Sequence, residues 1–430
     1  MFLKTLELWN FRCYKSLGLS FHKRLTLLVG KNGSGKSTVL DAATIAAGTL
    51  LASMDIKPYY GIKQSDARNV CYDFGSGIDV QAQYPVSVYA TGRVDGKDVQ
   101  WRRTLNSPTG RTTFGDAKEI TAISNSYQER LRRGDSSLIL PIISYYGTGR
   151  LWAQHKEKSS DVLAVNTRTN GYLDSLDAAA NNKLMLRWFQ KMTIQSLQKK
   201  QELPEFTAVK KAMEQCFRRI TGYEDVQMEY NLDTQALDAL YTNDHGEAIR
   251  EPIDQMSDGY KCTINLIADI AYRMAILNPQ LLDRVTTDTD GIVLIDEIDL
   301  HLHPAWQQRI IGDLLAIFPR VQFILSTHAQ SVIQSVNSEN LIILDSGNAI
   351  SPTGEIYGKD TNSITRNVMG VSERPEAIQK LFQKFYDYID KQDIDMATTV
   401  LGELDDKLKG DDPELAACRV KLKLLQFRRH

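Results

Sequence analysis

Gly30-Lys-Asn-Gly-Ser-Gly-Lys-Ser37 constrains this chain more than any other stretch. It follows the apolar run Leu25-Thr-Leu-Leu-Val29, which reads as a strand internal to a sheet, and it precedes Ser37-Thr-Val-Leu-Asp-Ala-Ala-Thr-Ile-Ala-Ala, an Ala-rich helix. A glycine-rich turn between buried strand and helix admits few architectures, because the strand needs parallel neighbours and the helix must cover them. Its chemistry is equally restricted. Glycines let backbone N–H groups close around phosphate oxygens, the helix start adds partial positive charge, Lys36 reaches the outer phosphates, and the Ser37 hydroxyl can ligate Mg2+. Gly30, Asn32, Gly33, Gly35, Lys36, Ser37 and Thr38 are the nucleotide-binding candidates, with ATP as the nucleotide.

With 430 residues, 42% of them hydrophobic, the chain can bury one large core or two ordinary ones. Lys and Arg number 51 against 53 Asp and Glu, so no global basic field attracts nucleic acid and any such contact must use local patches. The five cysteines are scattered, without a CxxC pair, which reads as reduced thiols rather than disulfides or zinc ligands. Charge enters the first apolar residues at once, unlike a signal peptide, and no apolar run reaches the roughly 18 residues of a membrane helix. A soluble, cytoplasmic protein is expected.

Along the chain, Phe2 to Trp9 alternates as a half-buried strand does. Between Asp73 and Leu105, β-branched and aromatic runs are joined by Val94-Asp-Gly-Lys97, a hairpin signal, so an antiparallel sheet is expected there. Residues 106–135 read as a loop with one short helix, and Leu138 to Tyr146 as a buried strand. Residues 172–221 show helical spacing broken at Pro204. Ile292–Ile295 and Val321–Leu325, separated by a helix over Trp306–Phe318, have the alternation of a parallel βαβ unit. Beyond Glu373 the chain turns helical, with Ala377–Ile389 and Pro413–Phe427 as helices and the charged Leu401–Asp412 as a solvated face or loop. The predicted division is 1–150, the first part of an α/β core with an antiparallel β insertion; 151–250, a helical lobe; 251–372, the second part of the core; and 373–430, a C-terminal helical extension.

Ile292-Val-Leu-Ile-Asp296-Glu297 supplies the second half of the chemistry. An Asp ending a buried strand can hold Mg2+, and an adjacent Glu can orient or deprotonate the attacking water. His328 ends the next strand, on the side where ligands of α/β sheets bind, and could hydrogen-bond a γ-phosphate. The catalytic candidates are thus Glu297 and His328, and the metal candidates Ser37 and Asp296.

With these motifs the chain resembles ABC-type P-loop ATPases of the soluble branch that includes RecF, Rad50 and the SMC proteins. Met256-Ser257-Asp258-Gly259-Tyr260-Lys261 is similar to that family's signature, whose Ser and Gly bind a γ-phosphate held by the opposite subunit. One phosphate loop and one signature per chain then imply two copies closing over ATP, a homodimer or higher homo-oligomer with composite sites. The resemblance further implies that Asp299 lies where subunits meet and that Arg12, in Asn10-Phe-Arg-Cys, reaches the nucleotide. The family's Mg2+-ligating glutamine should follow Tyr145-Tyr-Gly-Thr-Gly-Arg150; Gln154, Arg150 as a replacement, or Gln64 are the options.

His301 and His303 in Asp299-Leu-His-Leu-His-Pro304 could chelate a metal, but no third ligand lies nearby in sequence. They fit better a subgroup that includes OLD-like and Septu-type defence ATPases. Tyr145-Tyr-Gly-Thr-Gly-Arg150, the His-Leu-His-Pro run, Tyr357–Ile364 and Met369–Pro375 together resemble the ATPase subunit of Septu-type anti-phage systems, a family that acts with a separate HNH-type nuclease. A slow ATPase regulating such a partner, without nuclease activity of its own, is the implied function. Asp393-Ile-Asp395 sits in a helical, charged context and reads as a solvated face rather than a metal site.

Two other readings stay open at this point. A RecF-like DNA-repair ATPase would bind DNA directly, with Trp101-Arg-Arg103 and Arg130-Leu-Arg-Arg133 as basic patches. A pure scaffold would hold ATP as a structural ligand without turnover.

Overall fold

The computed structural model describes residues 1–56, 60–75, 77–149, 167–177, 182–352, 354–360, 363–364, 374–409 and 412–427. It divides into two units, Met1–Lys359 and Asp360–His430.

The first unit opens with β1 (Phe2–Phe11), β2 (Tyr14–Ser20) and β3 (Leu25–Val29), followed by α1 (Lys36–Gly48). Two hairpins come next, β4 (Arg68–Asp73) with β5 (Ile78–Gln83) and β6 (Val86–Val94) with β7 (Lys97–Leu105). After α2 (Lys118–Arg132) and β8 (Ile142–Tyr146) come α3 (Asn182–Lys199) and α4 (Pro204–Thr221). Three strands, β9 (Gln227–Asn231), β10 (Ala236–Thr242) and β11 (Ala248–Pro252), lead into α5 (Asp258–Leu277). The unit closes with β12 (Gly291–Ile295), β13 (Val321–Ser326), β14 (Leu341–Asp345) and β15 (Asn348–Ile350).

The central sheet runs β15-β14-β3-β13-β12-β8, parallel except for β15 against β14. Its strands β3, β8, β12 and β13 are buried at every residue, which is why their sequences show unbroken apolar runs instead of alternation. α1 is buried over most of its circumference, as its Ala content allows. Because β3, β13 and β12 are parallel neighbours, the segments that follow them emerge at one edge of the sheet. This topology sets the site.

The antiparallel sheet β2-β1-β6-β7 bears out the hairpin expected at Val94–Lys97, with Asp95 (φ 50°) and Gly96 (φ 75°) both left-handed, as a two-residue type I′ loop requires. Several boundaries differ from the sequence reading. The helix expected to be short within 106–135 has 15 residues, buried on one face through Ile120, Ser124 and Tyr127; two of these three can hydrogen-bond, which hid the apolar stripe. The lobe read as helical over 151–250 ends in the three-stranded sheet β11-β10-β9, whose Arg250 pairs across strands with Glu229 (2.8 Å) and Asp238 (3.2 Å); the charges masked the alternation. The helix read over Trp306–Phe318 is two pieces, Pro304–Gln307 and Ile310–Ile317, separated at Arg309 (φ −108°).

The second unit begins at Asp360, not at 373. Helices Glu376–Asp390, Ile394–Leu408 and Pro413–Phe427 share a core of Leu381, Phe382, Phe385, Val400, Leu404 and Leu415. Leu401–Asp412 is therefore mostly helix rather than loop: Leu401 and Leu404 point inward while Glu403, Asp406 and Lys407 stay outside. Asp393 caps the middle helix by accepting from the Met396 N–H (3.1 Å), which accounts for it without a metal. Arg374 holds Asp412 through two hydrogen bonds, of 2.8 and 3.0 Å, and this keeps the Asp412 carboxyl below its ordinary pKa.

Candidate functional site

The glycine-rich loop joins β3 to α1 with Gly33 (φ 79°) and Gly35 (φ 94°) left-handed. At Gly35 a Cβ would lie 2.6 Å from Tyr14 Cζ, so only glycine lets the loop pass the Tyr14 ring. The Tyr14 hydroxyl donates to Ser34 O (2.7 Å), and burial pushes its pKa far up, which keeps it a neutral donor. The Lys36 ammonium is folded onto the loop, donating to Gly30 O (2.9 Å) and Lys31 O (3.1 Å). Its burial lowers its pKa, and Asp296, Glu297 and Asp299 oppose that fall, so all three carboxylates lie within electrostatic reach of it. Asn32, Gly33 and Ser37 are exposed, while Thr38 is buried beside Cys13.

The acids follow β12. Asp296 is buried, its N–H donating to Tyr146 O (2.8 Å) and its carboxylate accepting from the Ser326 hydroxyl. The same hydroxyl accepts from the Glu297 N–H (2.8 Å). Glu297 has φ 49°, a left-handed backbone that costs about 1–3 kcal/mol and persists where neighbours over-determine it. Ser326 does so twice, since its carbonyl also accepts from the Ile298 N–H (3.0 Å). Thr327 donates to the Asp299 carboxylate (2.6 Å). His328 follows, half-buried; burial lowers its pKa, Lys36 lowers it further, and the three acids partly offset both, so the imidazole is held neutral.

Arg12 occupies the turn between β1 and β2 with φ 49°. Its guanidinium binds Asp66 (2.8 Å) and Asp41, and these two carboxylates outweigh its burial and raise its pKa. Asp41 lies on α1 one turn beyond Ser37 and also bonds the buried Tyr145 hydroxyl. The arginine is not a loose edge residue; it is tied to the helix that the loop starts.

Ser257 stands at the start of α5, exposed, its hydroxyl not used to cap the helix. Gly259 is buried, and a Cβ there would lie 2.8 Å from the His301 carbonyl and 3.0 Å from the Trp306 ring. Tyr260 packs edge-on against that same ring, 4.5 Å between centroids. The segment after the acids thus rests on the first turn of α5. His303 Nδ1 accepts from the Ala305 N–H (3.3 Å), and no group of three metal-ligating residues exists among the described residues, so a His301–His303 metal site gains nothing.

Of the glutamine-loop options, Arg150 and Gln154 lie outside the described residues, and Gln64 is exposed with its amide donating to Pro108 O. Met369–Glu373, Thr361 and Asn362 also lie outside them. The arginines of the two basic patches have partners within the chain, and Arg103 alone among them is buried. Arg103 is fully buried, bonded to Thr113 O (3.0 Å) and Thr49 (3.2 Å), and Arg102 lies over Trp9 and Tyr89. Arg130, Arg132 and Arg133 pair with Asp135, Asp55 and Glu129.

Asp41, Ser326, Thr327 and Tyr14 were not singled out in the sequence. Ser326 and Thr327 directly precede His328, and two hydroxyls ending a buried strand were the available signal.

The model of the AAA domain family matches residues 5–221, half of the chain. The chain belongs to that family. It is 27% identical to a retron Ec83 probable ATPase of Escherichia coli over 88% of this chain and 78% of that one. It is 24% identical to a Septu protein PtuA of Bacillus thuringiensis over 99% and 98% of the two chains. Among solved structures, an SMC head bound to the winged-helix domain of ScpA overlaps 82% of this chain and 97% of its own, at 17% identity and a TM-score of 0.45. The chain is an ABC-type P-loop ATPase resembling the Septu protein. No described helix is long and apolar enough to cross a membrane.

Proposed function

We propose that this ATPase binds ATP with Mg2+ at the carboxyl edge of β3, β13 and β12, closes with a second copy over two shared sites, and so gates a separate HNH-type nuclease in anti-phage defence. One observation carries the nucleotide reading: the phosphate loop, Asp296-Glu297 and His328 leave three neighbouring parallel strands at the same edge. The residues fit the ligand. The Ser34 hydroxyl is buried without a partner, nothing lies within 4 Å of a Cβ built at Gly33, and Ser37 is exposed at the helix start.

In this reading Gly30, Asn32, Gly33, Gly35 and Thr38 line the phosphates with Lys36, which exchanges its loop carbonyls for phosphate oxygens. Ser37 and Asp296 would hold the metal, which would supply positive charge against that developing on the transferred phosphoryl group. Glu297 takes the proton of the attacking water, and neutral His328 donates to the γ-phosphate. Ser257 and Gly259 complete the partner's site, with Asp299 at the contact. Arg12 acts through Asp41 on α1, or reaches the nucleotide by exchanging one carboxylate. The near full-length likeness to a Septu protein supports the defence role; the nuclease partner follows from the resemblance of this sequence's motifs to the Septu-type family.

Calorimetric titration with ATP and Mg2+ tests the site: Lys36→Ala should remove measurable binding, whereas Glu297→Gln should keep it and lose turnover by about 100-fold or more. Retained affinity in Lys36→Ala contradicts the reading. Purification with the products of the flanking genes tests the partner, and recovery of the chain alone would contradict it.

A further inference from the structure

At the other edge of the central sheet, where β3, β12 and β13 begin, a cleft of about 660 Å3 opens to solvent. Its cations come from distant segments: Lys23 and Arg24 ahead of β3, Arg93 at the end of β6, Arg130 on α2, and Arg320 ahead of β13. Three acids share the wall, Asp95, Asp288 and Asp290. Each has a partner: Asp290 the Met1 ammonium and Asp95 the Tyr127 hydroxyl, both within the cleft wall, and Asp288 the Arg284 guanidinium (3.1 Å). Arg130 is likewise held by Asp135 (2.7 Å).

The other four cations have no carboxylate at salt-bridge distance among the described residues. Arg24 donates to Leu315 O (3.1 Å), Arg93 to Gly96 O (3.0 Å) and Arg320 to Asp288 O (3.2 Å), and the Lys23 ammonium lies 5.9 Å from the Phe2 ring. The Arg24 Nε is moreover buried with no hydrogen-bond partner. Backbone carbonyls leave each guanidinium with donors to spare, and Asp98, which acts on Arg93 from the neighbouring strand, is itself paired with Lys4 (2.9 Å). Since the whole chain carries a formal charge of −2, the cluster is not a by-product of a basic composition.

We propose that this cleft binds the phosphodiester backbone of nucleic acid. Arginine forks suit phosphate oxygens. Cations arriving from three separate segments around an open cleft suit successive phosphates of a chain better than one enclosed phosphate. The site lies at the edge opposite the nucleotide loop, so it goes beyond the ATPase reading and can fail without it. The sequence patches at 101–103 and 130–133 are largely occupied by internal contacts; this surface is assembled by the fold from residues that no contiguous motif shows.

The test uses the full chain without ATP and a fluorescein-labelled single-stranded oligodeoxynucleotide of about 20 residues, titrated by anisotropy over a salt series. Arg93→Glu with Arg320→Glu should weaken binding by at least about tenfold and lower the log–log salt slope by about 1.4, for two lost phosphate contacts. Lys23→Gln with Arg93→Gln, a milder pair of exposed substitutions, should weaken it by about threefold. Arg132→Glu, exposed elsewhere on α2, should leave it unchanged, and all variants should keep the wild-type melting temperature and ATP affinity. Absence of oligonucleotide binding, unchanged affinity in both cleft variants, or equal loss in Arg132→Glu would overturn the proposal. So would competition by inorganic pyrophosphate as effective as that by unlabelled oligonucleotide, which would make the site one for small phosphates.

Discussion

Ser326 organises both acids: its hydroxyl donates to Asp296 and accepts from the strained backbone of Glu297. Ser326→Ala would leave a buried carboxylate short of a donor and a partly buried N–H short of an acceptor, so unfolding by urea should show a loss of about 2–3 kcal/mol; a loss under 0.5 kcal/mol would contradict this role. His328 offers a second check. Its pKa lies below the ordinary value of about 6.5, so between the two values the unfolded chain binds more protons than the folded one. The stability it contributes is complete above pH 6.5 and is lost as pH falls toward the folded value. NMR titration of the imidazole should give a midpoint below 6.5, and one above it would contradict the buried, Lys36-facing placement. At this scale the contiguous motifs were legible because phosphate loop, acids and histidine each carry their chemistry in adjacent residues. The Ser326–Asp296 and Arg12–Asp41 pairs join residues about thirty apart, and only folding brings them together.

The parallel strands and α1 could be read from apolar runs, since burial on both faces leaves no other pattern. Elements that carry charge on their outer face could not: β9–β11 alternate Met228 and Tyr230 with Glu229, and α2 buries Ser124 on its inward side. The contact between the first turn of α5 and the His301 segment was equally invisible, although both motifs had been seen. It makes Gly259 obligatory. A Cβ there meets a backbone carbonyl that cannot rotate away, so Gly259→Ala should cost about 1–3 kcal/mol on denaturation. ATPase turnover should fall with it, because in a homodimer the altered turn completes both shared sites; unchanged turnover would contradict the role given to Gly259.

Across the whole molecule, the division at Asp360 escaped the sequence because the stretch before Glu373 reads neither as linker nor as core. The opposed edges of the central sheet carry different chemistry, acids and a phosphate loop at one, unpaired cations at the other. The central claim is that each ATP site is shared between two copies, and a mixing experiment tests it most directly. Lys36→Ala and Ser257→Arg chains, each inactive alone, should form heterodimers in which one site has an intact phosphate loop facing an intact signature. An equimolar mixture should then regain about a quarter of wild-type ATPase turnover per chain. A mixture as inactive as its components, or a Ser257→Arg chain that hydrolyses ATP unaided, would contradict the account.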